Sequence, residues 1–517
     1  MVNVLATWPD ALPQVQMHKE SLEWTPPPSG APLPWVTTCK EPGKWLDSGA
    51  FSSALKPAGI LDHRAIAVPG AVVVLPYGMR LIKQFQELIR RFYQQFGLEE
   101  YEYPTVAPLE IYDPIQDILP LDNKLLHLGT DSDFAQQRPQ ATLCPSGEAT
   151  IYAHWKTIVR SPADLPLRVY RQARYYRPTP SGKHSGRSIF RPLESADVFE
   201  FHCGFAGYEE GQQASSDYFA MLRAIASAAH VPTLWSTRPP WTNNRGVAEW
   251  AIGGDVPLPS GNTVQTASLY NQGQIFSRAC GIRFKQGGKL MHPYHITGAI
   301  TRRLAYVHLM LGMYESGALF VHPDFSPDQV AIVFQQRMQD DSAHIQKLLD
   351  TLTSYGLRLK LDRVEGKNSI AHVRRSNRLR GVPLEILVQG RRNPNDRFRV
   401  VLTRADTYGE AILFEDMLLT IGLLVPPIVH NVGVAYVQRV RQFFERQCCF
   451  ASRTSLNDIL GARRVAVCPL VASEKNTLEV DGWHRGEILG YARGHDTRPC
   501  VLTGERTDTV ALISPRV

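Results

Sequence analysis

The chain has 517 residues, 44% hydrophobic and 20% charged, which is enough apolar material for several domains with cores of their own. A net charge of +7 permits a nucleic-acid partner without requiring one, because affinity depends on how basic groups cluster. No uninterrupted run of about 18 apolar residues spans a bilayer, Met1-Val2-Asn3 opens no basic-then-apolar leader, and the eight cysteines are scattered; together these predict a cytoplasmic protein with reduced thiols and no membrane partner.

Residues 1 to 45, with Pro26-Pro27-Pro28-Ser29-Gly30, lack periodicity and read as an irregular N-terminal extension. From Met79 the apolar residues Ile82, Phe85, Ile89, Phe92 and Phe96 recur at helical spacing, and Gly97 offers the glycine that ends many helices. Glu100 to Pro104 alternates as an extended segment. Between about 140 and 310 short apolar runs alternate with turns, which predicts an antiparallel sheet. After Pro327 a strand–helix–strand rhythm begins: Val330 to Phe334, a helix around Ile345 to Leu352, Leu357 to Leu361, then Leu384 to Val388 and Val400 to Leu402. The divisions are 1–45, a body over 46–322, a small α/β domain over 323–430 and a C-terminal region over 431–517.

Three ordered segments give the chain its resemblance to a known family. The first is the helix ending at Gly97 followed by Tyr103-Pro104. The second runs from Leu165-Pro166-Leu167-Arg168 through Arg174 and Arg191 to Phe201-His202. The third is Gly298-Ala299-Ile300-Thr301-Arg302, opening an apolar helix. In this order they resemble the three motifs of class II aminoacyl-tRNA synthetases, and specifically prolyl-tRNA synthetases of the archaeal and eukaryotic type. Gly381-Val382-Pro383-Leu384 resembles the same family's anticodon-binding domain. The resemblance implies an α+β fold: an antiparallel catalytic sheet of six or seven strands flanked by helices, a small α/β anticodon-binding-like domain and a small α+β C-terminal domain. It also implies a homodimer that uses ATP with Mg2+ to make an aminoacyl adenylate and passes the acyl group to an acceptor hydroxyl.

Adenylate formation concentrates negative charge at the α-phosphate, and arginine suits that charge because its planar fork stays protonated and binds phosphate bidentately. The resemblance assigns Arg174 to the α-phosphate, Arg302 to the γ-phosphate and adenine, and Arg191 to the end of the second motif. The basic loop from Arg177 to Arg187 touches ATP and the acceptor end of tRNA in the family, with Lys183 and Arg187 suited to phosphate. Cys144-Pro145-Ser146-Gly147-Glu148 resembles the family's substrate-gripping loop, which makes Glu148 the partner of the substrate ammonium and Ser146 its neighbour; the plainer reading of Glu148 is a carboxylate favoured at a helix N-terminus. Gln265 and Gly298 match family positions at the nucleotide and the amino acid, and Glu194 is a candidate magnesium ligand.

Elsewhere the pattern departs. Tyr176 stands where the family has a nucleotide-binding glutamate, and Leu193 where it has the phenylalanine that stacks on adenine. The family then places tryptophan, glutamate and histidine at alternate strand positions in the amino-acid pocket; counting on from Arg191 gives Ser195, Asp197 and Phe199, which would share one face of a strand. Gly261, Gln265, Gly273, Gln274, Phe276 and Ser277 match the prolyl pattern, but between them threonine-serine-histidine-histidine becomes Ser268-Leu269-Tyr270-Asn271. These changes predict a remodelled pocket whose amino acid is proline, an analogue or another residue.

Arg374 to Arg380 holds four arginines and, with Arg391-Arg392, suggests RNA contact, with a solvated helix face as the plain alternative. Near the C-terminus only Cys468 and Cys500 fall where the prolyl subgroup has four zinc-binding cysteines; Ser473 and Thr503 occupy the other places, so no structural zinc is expected. Three functions fit: a tRNA-charging enzyme, a biosynthetic paralogue that hands its amino acid to a small molecule, carrier or borrowed tRNA, and a non-catalytic RNA-binding protein.

Overall fold

A computed structural model describes residues 45, 48–62, 72–119, 125–136, 139–178, 189–190, 194–242, 246–314, 316–335, 342–364, 366–389, 398–407, 410–415, 419–483 and 486–515. The 1–45 extension lies outside these apart from Trp45, as do most of the 177–187 loop, Arg191, Leu193, Arg391 and Arg392.

Pro76–Gln95 forms a helix because proline opens it, where its missing N–H costs nothing, and because Leu81, Ile82, Phe85, Leu88 and Ile89 bury one stripe. Gly97 ends it with φ +72°, the left-handed turn that glycine takes without strain. The stripe packs on one face of a central sheet beside the helices Tyr208–Ala228 and Arg303–Gly312, in a core with Phe199, Phe201, Leu269 and Ile300. The 21-residue helix Tyr208–Ala228 was not foreseen, since its apolar stripe is diluted by alanine, serine and glutamine.

The sheet runs, in spatial order, through Leu234–Thr237, Trp250–Pro257, Thr263–Gly273, Tyr294–Thr301, Glu194–Phe205 and Leu167–Tyr176, all antiparallel, with the two-residue strand Glu99–Glu100 parallel at the edge. At its other edge the C-terminal strands Gly486–Pro499, Arg506–Pro515, Val465–Pro469 and Cys448–Phe450 join the same sheet, so that eleven strands are continuous among the described residues. The junction is the pair Tyr491 and Thr237.

A second sheet has the order Leu359–Val364, Val330–Gln335, Leu384–Gln389, Phe398–Arg404, Glu410–Glu415, parallel over the first three strands and antiparallel over the rest. It is closed by the helices Ser342–Ser354 and Leu419–Gln447. The latter runs straight through position 430, where the sequence suggested a boundary. Its first half (Ile421, Val425, Ile428, Val429) belongs to the α/β core, and its second half (Val432, Ala435, Tyr436, Val440, Phe443) to the core of the main sheet. The stretch Ile421–Gln447 is long and apolar enough to cross a membrane, which a search for unbroken apolar runs overlooks, yet half of it is buried in the protein. Within it the Tyr436 hydroxyl donates to the His308 carbonyl at 2.7 Å, and Arg439 donates to the carbonyls of Leu311 and Met313. These contacts mark a core helix.

Candidate active site

The sheet face opposite the Pro76–Gln95 helix carries a cavity of about 220 Å³. Its walls come from four strands and one helix start: Tyr175, the run from Glu194 to Ala196 with Val198 and Glu200, Gln265 to Ser268 with Tyr270, Ala299 with Thr301, and Ser146 with Glu148 at the N-terminus of Glu148–Ile158. Arg177, Arg302, Arg303 and Tyr306 complete it. Of the sequence-derived candidates, Ser146, Glu148, Ser195, Gln265, Ser268, Tyr270 and Arg302 line this space together, with the suggested magnesium ligand Glu194.

The remaining described candidates do not, and one irregularity accounts for several of them. Ala173 pairs with Val198 but Tyr175 pairs with Ser195, so the strand Glu194–Phe205 carries one extra residue there. This is a β-bulge, with Asp197 at φ +53°. Beyond it the alternation of sides is inverted. Ser195 faces the cavity, but Val198 and Glu200 follow it rather than Asp197 and Phe199. Phe199 packs in the opposite core, where it meets Tyr93 and the Arg90 guanidinium. Asp197 is buried in an ion pair with Arg302 at 2.6 Å and accepts a hydrogen bond from Gln172 at 2.6 Å.

Four further assignments are corrected by which side of its strand each residue faces. Arg174 and Tyr176 alternate with the cavity-facing Tyr175 and lie off the cavity; the Arg174 side chain is 58% exposed and pairs with Glu194. The arginine that reaches the cavity is Arg177, which follows the strand end and donates from Nε to the Pro145 carbonyl at 3.0 Å. Gly298 is turned to the helix-packed face, where a Cβ would come within 2.5 Å of the Phe201 ring. Asn271 shares that face, buried, with its Oδ1 accepting the Gly273 N–H at 2.9 Å.

Glu200 and His202 are the residues that sequence reasoning missed. They are a glutamate and a histidine at alternate strand positions, as the family pattern requires, displaced by the bulge. Tyr175 donates to Glu200 Oε2, and His202 Nε2 lies 3.3 Å from the same oxygen. His202 Nδ1 contacts the Tyr152 hydroxyl at 3.1 Å, which in turn donates to Gln272. Burial alone would raise the Glu200 carboxyl, but His202, Tyr175 and Arg171 outweigh it and hold the group below its ordinary value.

Glu148 is shifted the other way. Burial, and then the charge of Glu200, push its carboxyl above the ordinary range. Its Oε2 and the Ser146 hydroxyl are buried without a hydrogen-bond partner among the described residues. Gly147 lets the two carboxylates approach, since a Cβ there would meet Glu200 Oε2 and, at 2.6 Å, the Tyr175 hydroxyl. The cavity thus combines a buried carboxylate with one unsatisfied oxygen, suited to a cation, with the guanidiniums of Arg177 and of Arg302, the latter sharing its charge with Asp197, suited to an anion.

A second concavity, of about 350 Å³, lies on the α/β layer and is lined by Arg374, Arg375, Arg378 and Arg404 with Asn377 and Glu385. Arg374 pairs with Glu385 at 2.7 Å and Arg404 with Asp406 at 2.7 Å, so part of this charge is spent within the protein. Near the C-terminus Cys500 Sγ accepts the Thr503 N–H at 3.5 Å; the seven described cysteines are all unpaired.

Comparison with known proteins bears on the sequence and the fold. No family model matches the chain. It is 24% identical over 409 residues to a proline--tRNA ligase of Thermococcus kodakarensis, covering 78% of this chain and 82% of that one. It is 26% identical over 451 residues to that of Thermoplasma volcanium, covering 86% and 93%. The fold matches Giardia lamblia prolyl-tRNA synthetase in complex with prolyl-adenylate at a TM-score of 0.80 and 21% identity, over 92% of this chain and all of that one. It also matches the Cryptosporidium parvum enzyme complexed with L-proline and AMP at a TM-score of 0.79, with 15% identity and 92% and 97% coverage. By fold and by sequence, the chain is a relative of the prolyl-type class II aminoacyl-tRNA synthetases of archaea and eukaryotes.

Proposed function

We propose that the cavity activates an amino acid with ATP and that the acyl group then passes to a transfer RNA. The observation that carries this reading is the juxtaposition of Glu148, whose Oε2 is buried and unpartnered among the described residues, with Arg177 and Arg302 around one cavity. Glu148 takes the substrate ammonium, which leaves the substrate carboxylate free to face the nucleotide. That carboxylate attacks the α-phosphorus, the bond to pyrophosphate breaks, and the two arginines neutralise the charge that builds on the phosphoryl oxygens. An acceptor hydroxyl then attacks the acyl carbon and AMP leaves. Glu194, on the cavity wall, would hold a magnesium ion carried by the triphosphate only by giving up its ion pair with Arg174, and the ion would supply charge neutralisation there.

The amino-acid pocket is remodelled on two walls, since Val198, two places before Glu200, stands where the strand pattern has tryptophan. Glu200 and His202 keep the strand pair of the prolyl pattern, whereas Ser268 and Tyr270 replace a threonine and a histidine on the neighbouring strand. The hydroxyls of Ser268 and Tyr270 line the cavity and are half-buried, so a ring analogue of proline with a polar substituent that reaches them should gain on proline itself. Support for RNA as acceptor comes from the arginine-lined concavity on the α/β layer. We further propose a homodimer, as the family resemblance implies.

Amino-acid-dependent exchange of labelled pyrophosphate into ATP tests the reading, with proline, its hydroxylated and other ring analogues and the remaining common amino acids, followed by transfer to tRNA. Exchange with one of them that vanishes in Arg302→Ala is the expected result. Silence throughout from folded protein would overturn it and leave the non-catalytic reading.

A further inference from the structure

Away from the cavity, His230, His322 and Asp324 bring three metal-ligand atoms within 4.8 Å of one another. His230 follows the helix Tyr208–Ala228, while His322 and Asp324 lie in the segment that leads into the α/β strand Val330–Gln335. Asp324 Oδ2 stands 3.8 Å from His230 Nε2 and 3.6 Å from His322 Nδ1. Tetrahedral zinc with bonds of about 2.0–2.1 Å holds its ligand atoms roughly 3.3–3.4 Å apart, so the carboxylate already stands near that spacing from both rings, and closure asks the two imidazole nitrogens, which lie within 4.8 Å, to draw together.

Two features prepare these groups for an ion. His230 Nε2 is buried without a hydrogen-bond partner among the described residues, although it is directed at a carboxylate. The two imidazole rings lie with centroids 3.8 Å apart and planes tilted by 37°, and the His322 ring is wedged against Gly433 of the Leu419–Gln447 helix, where a Cβ would come within 2.9 Å of its Nε2. His322 Nδ1 now accepts the Asp324 N–H at 3.2 Å, a contact the metal would replace. The Asp324 side chain is 67% exposed, which supplies an entry path and leaves room for water at the remaining position.

We propose that His230, His322 and Asp324 form a binding site for a divalent transition metal of the zinc class, two imidazoles and one carboxylate completed by water. The donor set matches zinc and cobalt chemistry and does not suit magnesium or calcium, which take oxygen ligands. The bound ion clips the end of a catalytic-body helix to the segment that enters the α/β layer. Because it binds the folded chain, it adds stability according to its concentration and affinity.

Cobalt titration of tag-free, chelator-stripped full chain tests this, read by visible absorption and by melting temperature. One equivalent bound, with a raised melting temperature, is expected, together with at least a tenfold loss of affinity in Asp324→Asn and in His230→Asn. Both replacements are conservative: residue 324 is exposed, and asparagine tolerates the φ of +53° at residue 230. Cys468→Ser/Cys500→Ser should bind cobalt as the unaltered chain does. Absence of stoichiometric binding, binding that survives both site substitutions, or binding lost in the cysteine variant would each overturn the proposal.

Discussion

Arginine placement gives the sharpest residue-level contrast. Arg177 and Arg302 face the cavity, and Arg174 does not. Arg177→Ala and Arg302→Ala should each cost pyrophosphate exchange about 3 kcal/mol of transition-state stabilisation, by analogy with loss of an oxyanion donor. Arg174→Ala removes an exposed ion pair and should cost less than about 1 kcal/mol in stability, with exchange largely retained. Equal loss in all three variants would refute this geometry. Glu148→Gln separates function from stability. Without the carboxylate the substrate ammonium is buried unpaired, so kcat/KM for the amino acid should fall by about 3 kcal/mol, roughly a hundredfold or more, mainly through KM. The folded protein holds a proton on Glu148 at pH values where the unfolded chain has released it, so this residue's contribution to stability falls as pH rises through that interval. The glutamine variant should therefore melt no lower, and at neutral pH higher, than the unaltered chain. In the unaltered enzyme kcat/KM should rise with pH through the same interval, because only the ionised carboxylate pairs with ammonium.

At the scale of elements, periodicity made most of the scaffold legible: the stripe on Pro76–Gln95, its glycine end, the antiparallel texture of 140–310 and the α/β rhythm after 327 all have direct structural counterparts. What resisted was local register. The sequence contains Glu200 and His202 in plain alternation, but counting forward from Arg191 assumes an unbroken strand, and the extra residue at Asp197 exchanges the two sides. Counting backward from Phe201-His202, the far end of the same segment, keeps the pair. Arg174 was preferred to Arg177 for a similar reason, because type and approximate spacing do not disclose which side of the Leu167–Tyr176 strand a residue faces. The joining of the C-terminal strands to the main sheet is likewise non-local, resting on one paired position. Gly490 sits beside it, where a Cβ would lie 2.6 Å from the Thr237 carbonyl. Gly490→Val should therefore lower stability by about 1–3 kcal/mol through overpacking, measurable by urea unfolding, and an unchanged midpoint would show that the edge pairing carries no such constraint.

For the whole molecule, the Leu419–Gln447 helix has a consequence for divisibility. A single helix, with Pro426 and Pro427 inside it, contributes one half to each of two cores, so the boundary suggested by sequence at 322/323 is no place to cut. A fragment ending at residue 322 would lose Val432, Ala435, Tyr436, Val440 and Phe443 from its own interior and expose the partners they cover. We expect residues 46–322 expressed alone to be aggregated or only partly structured by circular dichroism, and the full chain to show one main calorimetric transition in place of separate ones for the two layers. A well-folded fragment would show that the main core tolerates losing the helix. If the helix does couple the layers, the protein is inherited and lost as one unit: a damaging change in the α/β layer should lower the abundance of competent catalytic sites in a cell even where no atom of the cavity has moved.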